Sequence, residues 1–587
     1  MPHLKSEACS ALAKFYRSHY LGLMLSVLGY AAYHVVTAGV GLDGVDEPGY
    51  WGQGARLAYF GDANLKLTSV LQYAHVSWVG NALTGEFHCK YPPGFPLLIA
   101  VGVRLTGEHL ALYLPIVGAS VALWLTFVVG RNVLGEGVGG LLSVLATCAC
   151  PTFNSRTDAG DAHMWVCSIY LGALALLTSS KLRMVQPKWL CAGLLLGAIP
   201  AFRYADVVLL PGALTVGFLV SRRRAEVPRS AFLWLLSGAL VALGCLSLWL
   251  VVSGVGQRSG YSWSGEHVAF FGPWTISHLS QYTYYLSAFG VGTVLVLGVI
   301  GFGALAKGRS APFAIGSGVG FLGSLVCYSA YYWAPQADPQ STLRFLLPNI
   351  PPLCVLAVGV GKLIFKSPTS KVIGFAILFT LQVLSQGRNI AVSVEVAGYT
   401  KGVVRAVQEA VEKAVPRGAV LVGPSDALAP LDYAARWRLV SSDLFSSNMP
   451  GTFEGVNVPI PVQPGRDESR WGNFRDLRPH QRAEVLRTEL ERWGGQNIYV
   501  LGGQVSEMAL YLEGCRELVR QALPKVPDLA EPEGAFGALV RIERDRTASE
   551  DPIGSRLPIG LNPRHYPRSI GETRSVAVFR CQLHRPQ

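Results

Sequence analysis

Long apolar runs, each followed by a short polar segment, occupy the first two thirds of this chain. The first run, Leu21–Val40, is about 20 residues long, which is what a helix needs to cross the hydrocarbon core of a bilayer. Half of the 587 residues are hydrophobic, only 15% are charged, and the mean hydropathy is +0.33. This combination is typical of a polytopic α-helical membrane protein and excludes an ordinary soluble globular fold.

The basic residues predict how the helices are oriented. Lys5, Lys14 and Arg17 precede the first run, and further basic clusters fall between later runs. Because cytoplasmic loops carry an excess of Lys and Arg, we expect a cytoplasmic N-terminus and about 11 transmembrane helices. Residues 1–392 would form this transmembrane module, with a first outer loop at 41–93. These clusters account for the net charge of +12, and no aromatic-basic module for nucleic acid accompanies them.

The composition changes after residue 392. Short β-type runs occur at three places, Ala419–Val422, Asn497–Leu501 and Val576–Phe579. Gln481–Trp493 has helical spacing, and Asp545–Arg574 is rich in Pro, Arg and Gly and is expected to be irregular. We therefore predict an α/β domain at 393–587, which the helix count places outside the cytoplasm. There, Cys515 and Cys581 would be free to pair, although sequence alone does not establish that they do.

Four polar groups fall on the predicted outer side. They are Asp46 with Glu47, Glu86–Lys90, Asp158 with Asp161, and the Gln336–Arg344 loop. An ionised carboxylate inside the bilayer costs about 2.5–3.5 kcal/mol on insertion scales, so such residues usually lie at the interface. A Lys or Arg pairs with phosphate, while a carboxylate can take the proton from a hydroxyl or amine. The combination suits a reaction on an anionic, lipid-linked substrate.

Each of these residues also has a simpler interpretation. Asp46 and Glu47 would be suitable caps for an interfacial helix, and Lys90 a snorkelling lysine. Asp158 and Asp161 would equally serve as a solvated pair or as a helix cap. Arg203 and Asp206, three residues apart in a broken apolar run, are expected to form a membrane-buried ion pair rather than to bind a donor.

Four motifs resemble a known family when taken in order. They are Asp46-Glu47 with Tyr50 following, Lys90-Tyr91-Pro92-Pro93-Gly94, Ser155–Asp161, and Arg344-Phe345-Leu346-Leu347-Pro348. Their order and common side resemble the GT-C fold, and most closely the family of protein O-mannosyltransferases and lipid A aminoarabinose transferases. The resemblance covers roughly residues 20–390. Gly160 stands where the family usually has Pro before the second Asp, and Asp158 adds a carboxylate, so either Asp158 or Asp161 is the equivalent residue.

The resemblance implies a glycosyltransferase. A sugar would pass from a polyprenyl-phosphate-linked donor to a lipid, glycan or protein acceptor on the extracytoplasmic face, with inversion at the anomeric carbon. Asp46 would be the base, and Lys90 and Arg344 would neutralise the leaving phosphate. Glu47, Asp158 or Asp161 would position the acceptor or support Asp46.

Other outer residues are candidate substrate ligands. They are Tyr50, Glu86, His88 and His163. We assign no cofactor. A divalent metal is left open, although a metal site built from His88, His163 and His267 is the less favoured interpretation of these histidines. A transporter or lipid flippase is the rival function, because it would also explain buried charges and broken helices. A sensor with degenerate catalytic residues is a third. Against the transporter, the polar groups concentrate in outer loops and no inverted repeat is detectable.

Overall fold

The fold is described here from a computed structural model. It describes residues 2–37, 39, 41–42, 46–66, 73, 77–81, 86–179, 185–252, 270–331, 339–364, 368–434, 436–442, 479–493, 497–502, 511–524 and 575–583. His267 and the segment Asp545–Arg574 lie outside the described residues, as does the side chain of Glu86.

Helices make up most of the chain as far as residue 414. The α-helices in the first half are Pro2–Thr37, Glu47–Phe60, Gly94–Thr106, Glu108–Ala111, Leu114–Leu134, Gly137–Cys148, Pro151–Thr157, His163–Thr178, Val185–Phe202, Leu210–Arg223 and Ala231–Val252. They continue with Thr275–Tyr285, Thr293–Leu305, Ala311–Ala330, Pro339–Leu343, Ile350–Gly359, Gly361–Ile364, Pro368–Ala414, Ser425–Leu428 and Pro479–Arg492. Short 3-10 or π turns occupy Tyr204–Leu209, Leu286–Gly290, Gly308–Ser310, Arg344–Asn349 and Ala429–Ala434.

Many of these helices are long and apolar enough to cross a membrane. Among the residues that the structure describes there are seven such spans, or up to nine if each of two bent pairs is one span. The seven are His19–Thr37, Glu108–Leu134, Val185–Phe202, Tyr204–Arg223, Ala231–Val252, Gly308–Ala330 and Pro339–Gly359. Gly94–Thr106 and His163–Thr178 are apolar but shorter. The predicted polytopic helical architecture is confirmed, while the count of about 11 stays a prediction.

One bent pair shows how a break in a span is stabilised. Thr275–Gly290 and Thr293–Leu305 meet at 108°, and Gly292 at the break has a φ of 56°, which favours glycine. The buried Gln382 amide satisfies the freed main chain. Its Oε1 accepts hydrogen bonds from the Thr293 N–H and hydroxyl, and its Nε2 donates to the Ala149 and Val291 carbonyls. A kinked helix is therefore compatible with an apolar surrounding.

The segment after the first helix contains a small antiparallel sheet. Its strands are β1 (Leu65–Lys66), β2 (Trp78–Asn81) and β3 (Glu86–Cys89), in the order β1-β3-β2. The alternation of β3 puts Phe87 and Cys89 in a core that also contains Trp51 of the helix Glu47–Phe60. This packing holds the start of that helix beside the residues that follow β3.

The C-terminal part contains a second sheet. Its strands are β4 (Val420–Gly423), β5 (Arg438–Ser441), β6 (Ile498–Leu501), β7 (Leu512–Ala522) and β8 (Ser575–Leu583), in the order β5-β4-β6-β8-β7. β4 pairs in parallel with β5 and β6, and β8 pairs antiparallel with β6 and β7. Strands thus lie at the three predicted β-type runs. A disulfide joins Cys515 of β7 to Cys581 of β8.

The helix Pro368–Ala414, called the long helix below, connects the two parts. At 1.5 Å per residue its 47 residues extend about 70 Å. Exposed apolar side chains such as Ile373 and Leu384 mark its first part, whereas Val407 and Val411 are buried in the core of the C-terminal sheet. The predicted boundary at 392/393 falls inside this continuous helix.

Candidate functional site

Asp46 stands at the start of the helix Glu47–Phe60. Pro48 occupies the first turn, where its missing N–H removes no helical hydrogen bond. The Asp46 side chain makes no capping hydrogen bond to this helix. Its Oδ1 accepts a hydrogen bond from the Tyr91 hydroxyl at 2.5 Å, and its Oδ2 lies 3.0 Å from the Arg344 guanidinium. Asp46 therefore faces a tyrosine and an arginine from distant parts of the chain.

The surrounding charges keep Asp46 ionised. Packing of the protein around Asp46 by itself raises the pKa of its carboxyl group. The positive charges of Arg344 and then Lys90, together with the Tyr91 hydrogen bond, outweigh this effect and hold the pKa of Asp46 below its ordinary value. The Asp46 side chain is still 30% exposed. It is thus a carboxylate at neutral pH that a substrate can reach.

The Lys90–Gly94 motif contributes two more features. The Tyr91 ring stacks on the Tyr50 ring, with centroids 4.4 Å apart and planes at 15°, which fixes the hydroxyl that meets Asp46. Lys90 Nζ lies 5.2 Å from the centroid of the Tyr91 ring, within cation–π range. Pro92 and Pro93 lie between the end of β3 and the helix Gly94–Thr106, so the motif occurs at a strand-to-helix turn.

A second segment approaches from residues 158–161. Glu47 Oε1 accepts the main-chain N–H of Gly160 at 2.8 Å, and Trp51 Nε1 donates to the Gly160 carbonyl at 3.0 Å. A Cβ at Gly160 would lie 3.0 Å from the Glu47 carboxylate and from Trp51. Glycine, where the resembling family usually has proline, therefore permits this close approach. Glu47 is buried and joins the two outer segments through the main chain of Gly160.

The two aspartates of this segment have different partners. Asp158 Oδ2 lies 2.9 Å from Lys401 Nζ, and both side chains are almost fully buried. Asp161 Oδ1 accepts the N–H of His163 at 2.9 Å, as in a helix cap, while its Oδ2 lies 3.5 Å from Arg156. Burial raises the pKa of Asp161 above its ordinary value, although Arg156 and then Arg344 pull it down in part.

The motif that begins at Arg344 lies next to a second arginine. The Arg344 and Arg203 guanidinium carbons lie 5.0 and 5.2 Å from the Phe345 ring centroid. Arg203 pairs with Asp206 at 3.4 Å, as the sequence predicts, and it also donates to Nδ1 of His163. The positive charges of both arginines also lower the pKa of Asp46. The expected ion pair is present, and it is also part of the cluster around Asp46.

Two of the predicted substrate ligands lie on β3. Glu86 is the first residue of this strand, and His88 lies between the buried residues Phe87 and Cys89. His88 is half-buried, and its Nδ1 lies 2.8 Å from Asn64 Oδ1. His88 is therefore tied to the turn after the helix Glu47–Phe60. The two other predicted ligands, Tyr50 and His163, contact the cluster through Tyr91 and Arg203.

No metal site is apparent in the part of the chain that the structure describes. There, no three His, Cys, Asp or Glu side chains are grouped so as to hold an ion. Asp161 Oδ2 and His163 Nε2 lie 3.9 Å apart.

Tyr91, Tyr328 and Lys401 lie in or beside this cluster, although no role was assigned to them from the sequence. Tyr91 lies inside a recognised motif but was not itself assigned a role. Tyr328 donates to Asp206 at 2.5 Å and stacks on Phe345 at 4.9 Å between centroids. Lys401 contacts Asp158 from 243 residues away. Only Tyr91 carried a sequence signal, because the other two lie within otherwise regular helical segments.

The fold and the site together define a multi-pass membrane protein in which a carboxylate and several arginines meet beside apolar helices. Its fold is that of the GT-C glycosyltransferases, as predicted. The structure is similar to that of ArnT, a lipid A aminoarabinose transferase, from Cupriavidus metallidurans bound to undecaprenyl phosphate. The TM-score is 0.51 and the identity 13%, over 90% of this chain and 100% of that chain.

Two further solved structures show similarity to this chain. The apo structure of the same ArnT gives a TM-score of 0.51 at 14% identity, over 88% of this chain and 97% of that chain. The oligosaccharyltransferase of Archaeoglobus fulgidus gives a TM-score of 0.48 at 12% identity, over 84% of this chain and 71% of that chain. No protein-family model and no curated protein sequence matches the chain.

Proposed function

We propose that this protein is a glycosyltransferase that moves a sugar from a polyprenyl-phosphate-linked donor to an acceptor, with Asp46 as the base. The observation that carries the proposal is the contact of an ionised, accessible carboxylate with Arg344 and Tyr91 inside a GT-C fold. ArnT was solved bound to undecaprenyl phosphate, and we extend a lipid-phosphate donor to this chain on that basis.

In the proposed reaction the acceptor attacks the anomeric carbon from the face opposite the phosphate. Asp46 takes the acceptor's proton as the new bond forms, and the bond between the anomeric carbon and the phosphate oxygen breaks, so that the configuration inverts. The electron pair leaves with the polyprenyl phosphate. Lys90 and Arg344 neutralise the charge that develops on this leaving group, as cations do for phosphate elsewhere.

The ion pair with Arg344 suggests how the base is controlled. Arg344 lowers the pKa of Asp46 and so makes it a weak base while the site is empty. A phosphate that binds Arg344 competes with Asp46 for the same positive charge. The pKa of Asp46 then rises toward its ordinary value, and its basicity increases when the donor is in place. Arg203, with its guanidinium beside the same Phe345 ring, supplies further positive charge.

We assign the acceptor side of the site to the second segment, residues 158–161. Asp161 lies within the electrostatic influence of Arg344 and Arg203, as Asp46 does, whereas Asp158 is held by Lys401. We therefore assign Asp161, rather than Asp158, to the catalytic cluster. Tyr50 and His163 are assigned to substrate binding through their contacts with Tyr91 and Arg203, while Glu86 and His88 are assigned from their position on β3.

We further propose that the site and the C-terminal sheet lie outside the cytoplasm, with the N-terminus inside. The disulfide between Cys515 and Cys581 supports this orientation, because disulfides persist in oxidising compartments. The basic clusters between the apolar runs support it independently. An impermeant thiol reagent applied after reduction of intact cells should label Cys515, which is partly exposed, and labelling should be weaker in Cys515→Ser. Labelling of Cys515 only after lysis would contradict the orientation.

The function is tested by sugar transfer in proteoliposomes that contain a panel of polyprenyl-phosphate sugars. We expect transfer by the wild type and a loss of about 100-fold or more in Asp46→Asn, which is the usual effect of removing a general base. Asp62→Asn is the matched control, because it removes a carboxylate from the same outer segment. Equal rates in wild type and Asp46→Asn would remove Asp46 from the mechanism. Movement of the lipid between leaflets without any transfer would instead indicate a flippase.

A further inference from the structure

Lys401 makes two contacts with one residue of the outer segment. Its Nζ lies 2.9 Å from Asp158 Oδ2 and donates a hydrogen bond of 2.8 Å to the main-chain carbonyl of the same residue. Both side chains are 3% exposed or less. A contact made only to neutralise charge would need the carboxylate alone. The second contact, to the main chain, fixes the path of the backbone at Asp158.

The backbone fixed in this way leads directly to Asp161. Two residues after Asp158, Gly160 is bound on its N–H by Glu47 and on its carbonyl by Trp51. The turn is therefore held from the first outer segment on one side and from Lys401 on the other. Asp161 follows immediately and caps the N–H of His163. The direction of the Asp161 carboxylate is set by these contacts.

Lys401 belongs to a helix that is bound both to the membrane part and to the C-terminal sheet. The long helix Pro368–Ala414 is bound in the membrane part through Gln382, which joins the broken helix at Thr293. Its last turns are buried against the C-terminal sheet, with Val407 and Val411 in the core of that sheet. One continuous helix thus connects the sheet, the turn at 158–161 and a kink in the membrane part.

The sheet is also bound to the outer segment directly. The main-chain N–H of Tyr73 donates to the carbonyl of Leu439 in β5 at 2.7 Å, and the Tyr73 ring is buried in the core of the sheet. Arg436, just before β5, forms ion pairs with Glu108 and with Glu412 of the long helix. The C-terminal part and the long helix therefore form one framework around the segments that carry the site.

We propose that Lys401 is a positioning residue for Asp161 and His163, so that the C-terminal part belongs to the framework of the active site. The inference rests on the proposed function where it is tested by kinetics. The contact between Lys401 and Asp158 is also tested independently, by hydrogen–deuterium exchange. The contacts described above join Lys401 to Asp158, whereas Asp46 pairs with Arg344 and Tyr91. Loss of Lys401 should therefore reduce turnover through the misplacement of Asp161 and leave the binding of the lipid phosphate nearly unchanged.

The test compares Lys401→Met, Lys401→Arg and the double variant Lys401→Met with Asp158→Asn. Lys413→Met is the control, since Lys413 is an exposed lysine on the same helix. The measurements are kcat and donor KM for sugar transfer in proteoliposomes, together with hydrogen–deuterium exchange of peptides that cover residues 158–163. We expect Lys401→Met to lower kcat about tenfold or more, because small displacements of reacting groups have effects of that order.

In Lys401→Met the donor KM should change by less than about twofold. Hydrogen–deuterium exchange at Gly160 and His163 should become faster, because Lys401 no longer restrains local opening of the turn at 158–161. Lys401→Arg should recover most of kcat, and Lys413→Met should match the wild type. The double variant removes the unpaired buried carboxylate and should recover thermal stability but not kcat. Full recovery of kcat in the double variant would mean that Lys401 only neutralises Asp158, and would overturn the proposal.

The two proposals fail in different ways. If the wild type transfers sugar from no donor in the panel, the proposed function fails, and the exchange measurement still tests the contact. Unchanged exchange at 158–163 in Lys401→Met would then overturn the positioning role. If the wild type is active and Lys401→Met raises donor KM without lowering kcat, the function stands and the positioning role is wrong.

Discussion

Replacing Glu47 by Gln separates the roles of the two adjacent carboxylates. In the structure Glu47 is 2% exposed, and its Oε1 accepts the Gly160 N–H at 2.8 Å. An amide oxygen of the same shape can accept this hydrogen bond. Asp46→Asn is the matched change one residue earlier, and there the negative charge itself faces Arg344 and Tyr91. Both substitutions replace a carboxylate by an amide. Glu47→Gln keeps the hydrogen bond to Gly160, whereas Asp46→Asn removes the negative charge that faces Arg344.

The expected magnitudes follow from these contacts. A hydrogen bond to a charged group contributes about 1.5–3 kcal/mol and a neutral one about half of that, so Glu47→Gln should cost about 1 kcal/mol. If all of that loss were expressed in the rate, the rate would fall by roughly fivefold. Loss of a general base lowers the rate by about 100-fold to 10,000-fold, which is the range expected for Asp46→Asn.

The assay is the initial rate of sugar transfer in proteoliposomes, normalised to the amount of monodisperse protein recovered. Glu47→Leu provides the structural comparison, because it leaves the buried Gly160 N–H without this acceptor and should cost about 1–3 kcal/mol of stability. We expect Glu47→Gln to keep at least a tenth of the wild-type rate, on the fivefold estimate above. A loss in Glu47→Gln as large as that in Asp46→Asn would show that the Glu47 charge takes part in the chemistry, and would refute this assignment.

Three further outcomes are expected. Arg344→Met raises the pKa of Asp46 in the free enzyme, so kcat/KM for transfer should begin to fall at a higher pH than in the wild type; identical pH profiles of kcat/KM would contradict the ion pair. Gln382→Leu leaves the main chain at the helix break without its partners and should lower the melting temperature by several degrees, and an unchanged melting curve would argue against the kink as described. Cys515→Ser removes the disulfide that closes a loop of 66 residues to Cys581, and it should destabilise the C-terminal part by about 4 kcal/mol in the chain-entropy estimate. Reduction of the wild type should lower the free energy of unfolding by the same amount, and no change on reduction would contradict the disulfide.

The local features of the site were predictable because they depend on neighbours in sequence. Asp46 follows an apolar run and precedes a proline, so its position at the start of a helix outside the first span could be inferred. The prolines after Tyr91 likewise predict a helix start, and Arg344 was expected on the side opposite the basic clusters. The resemblance then associated these motifs with one fold, and the structural comparison confirms that fold.

The partners of these residues were not predictable in the same way. The sequence does not choose between Asp158 and Asp161, whereas in the structure Asp158 pairs with Lys401 and Asp161 caps His163. Arg203 was expected to pair with Asp206, and it does, but its approach to His163 required the packing of two separate helices. A domain boundary placed by composition at residue 392 falls within a helix, because composition does not register where a helix continues across an interface.

The sequence by itself determined that this chain is a polytopic membrane protein and which residues flank its apolar helices, because hydrophobic length and the bias of basic charge are local properties of the chain. The tertiary structure alone decided that Asp46 meets Arg344, 298 residues away, and that Lys401 holds the turn before Asp161. Such contacts depend on how helices cross in three dimensions, and helical periodicity indicates only which face of a helix is buried, not which residue it will meet.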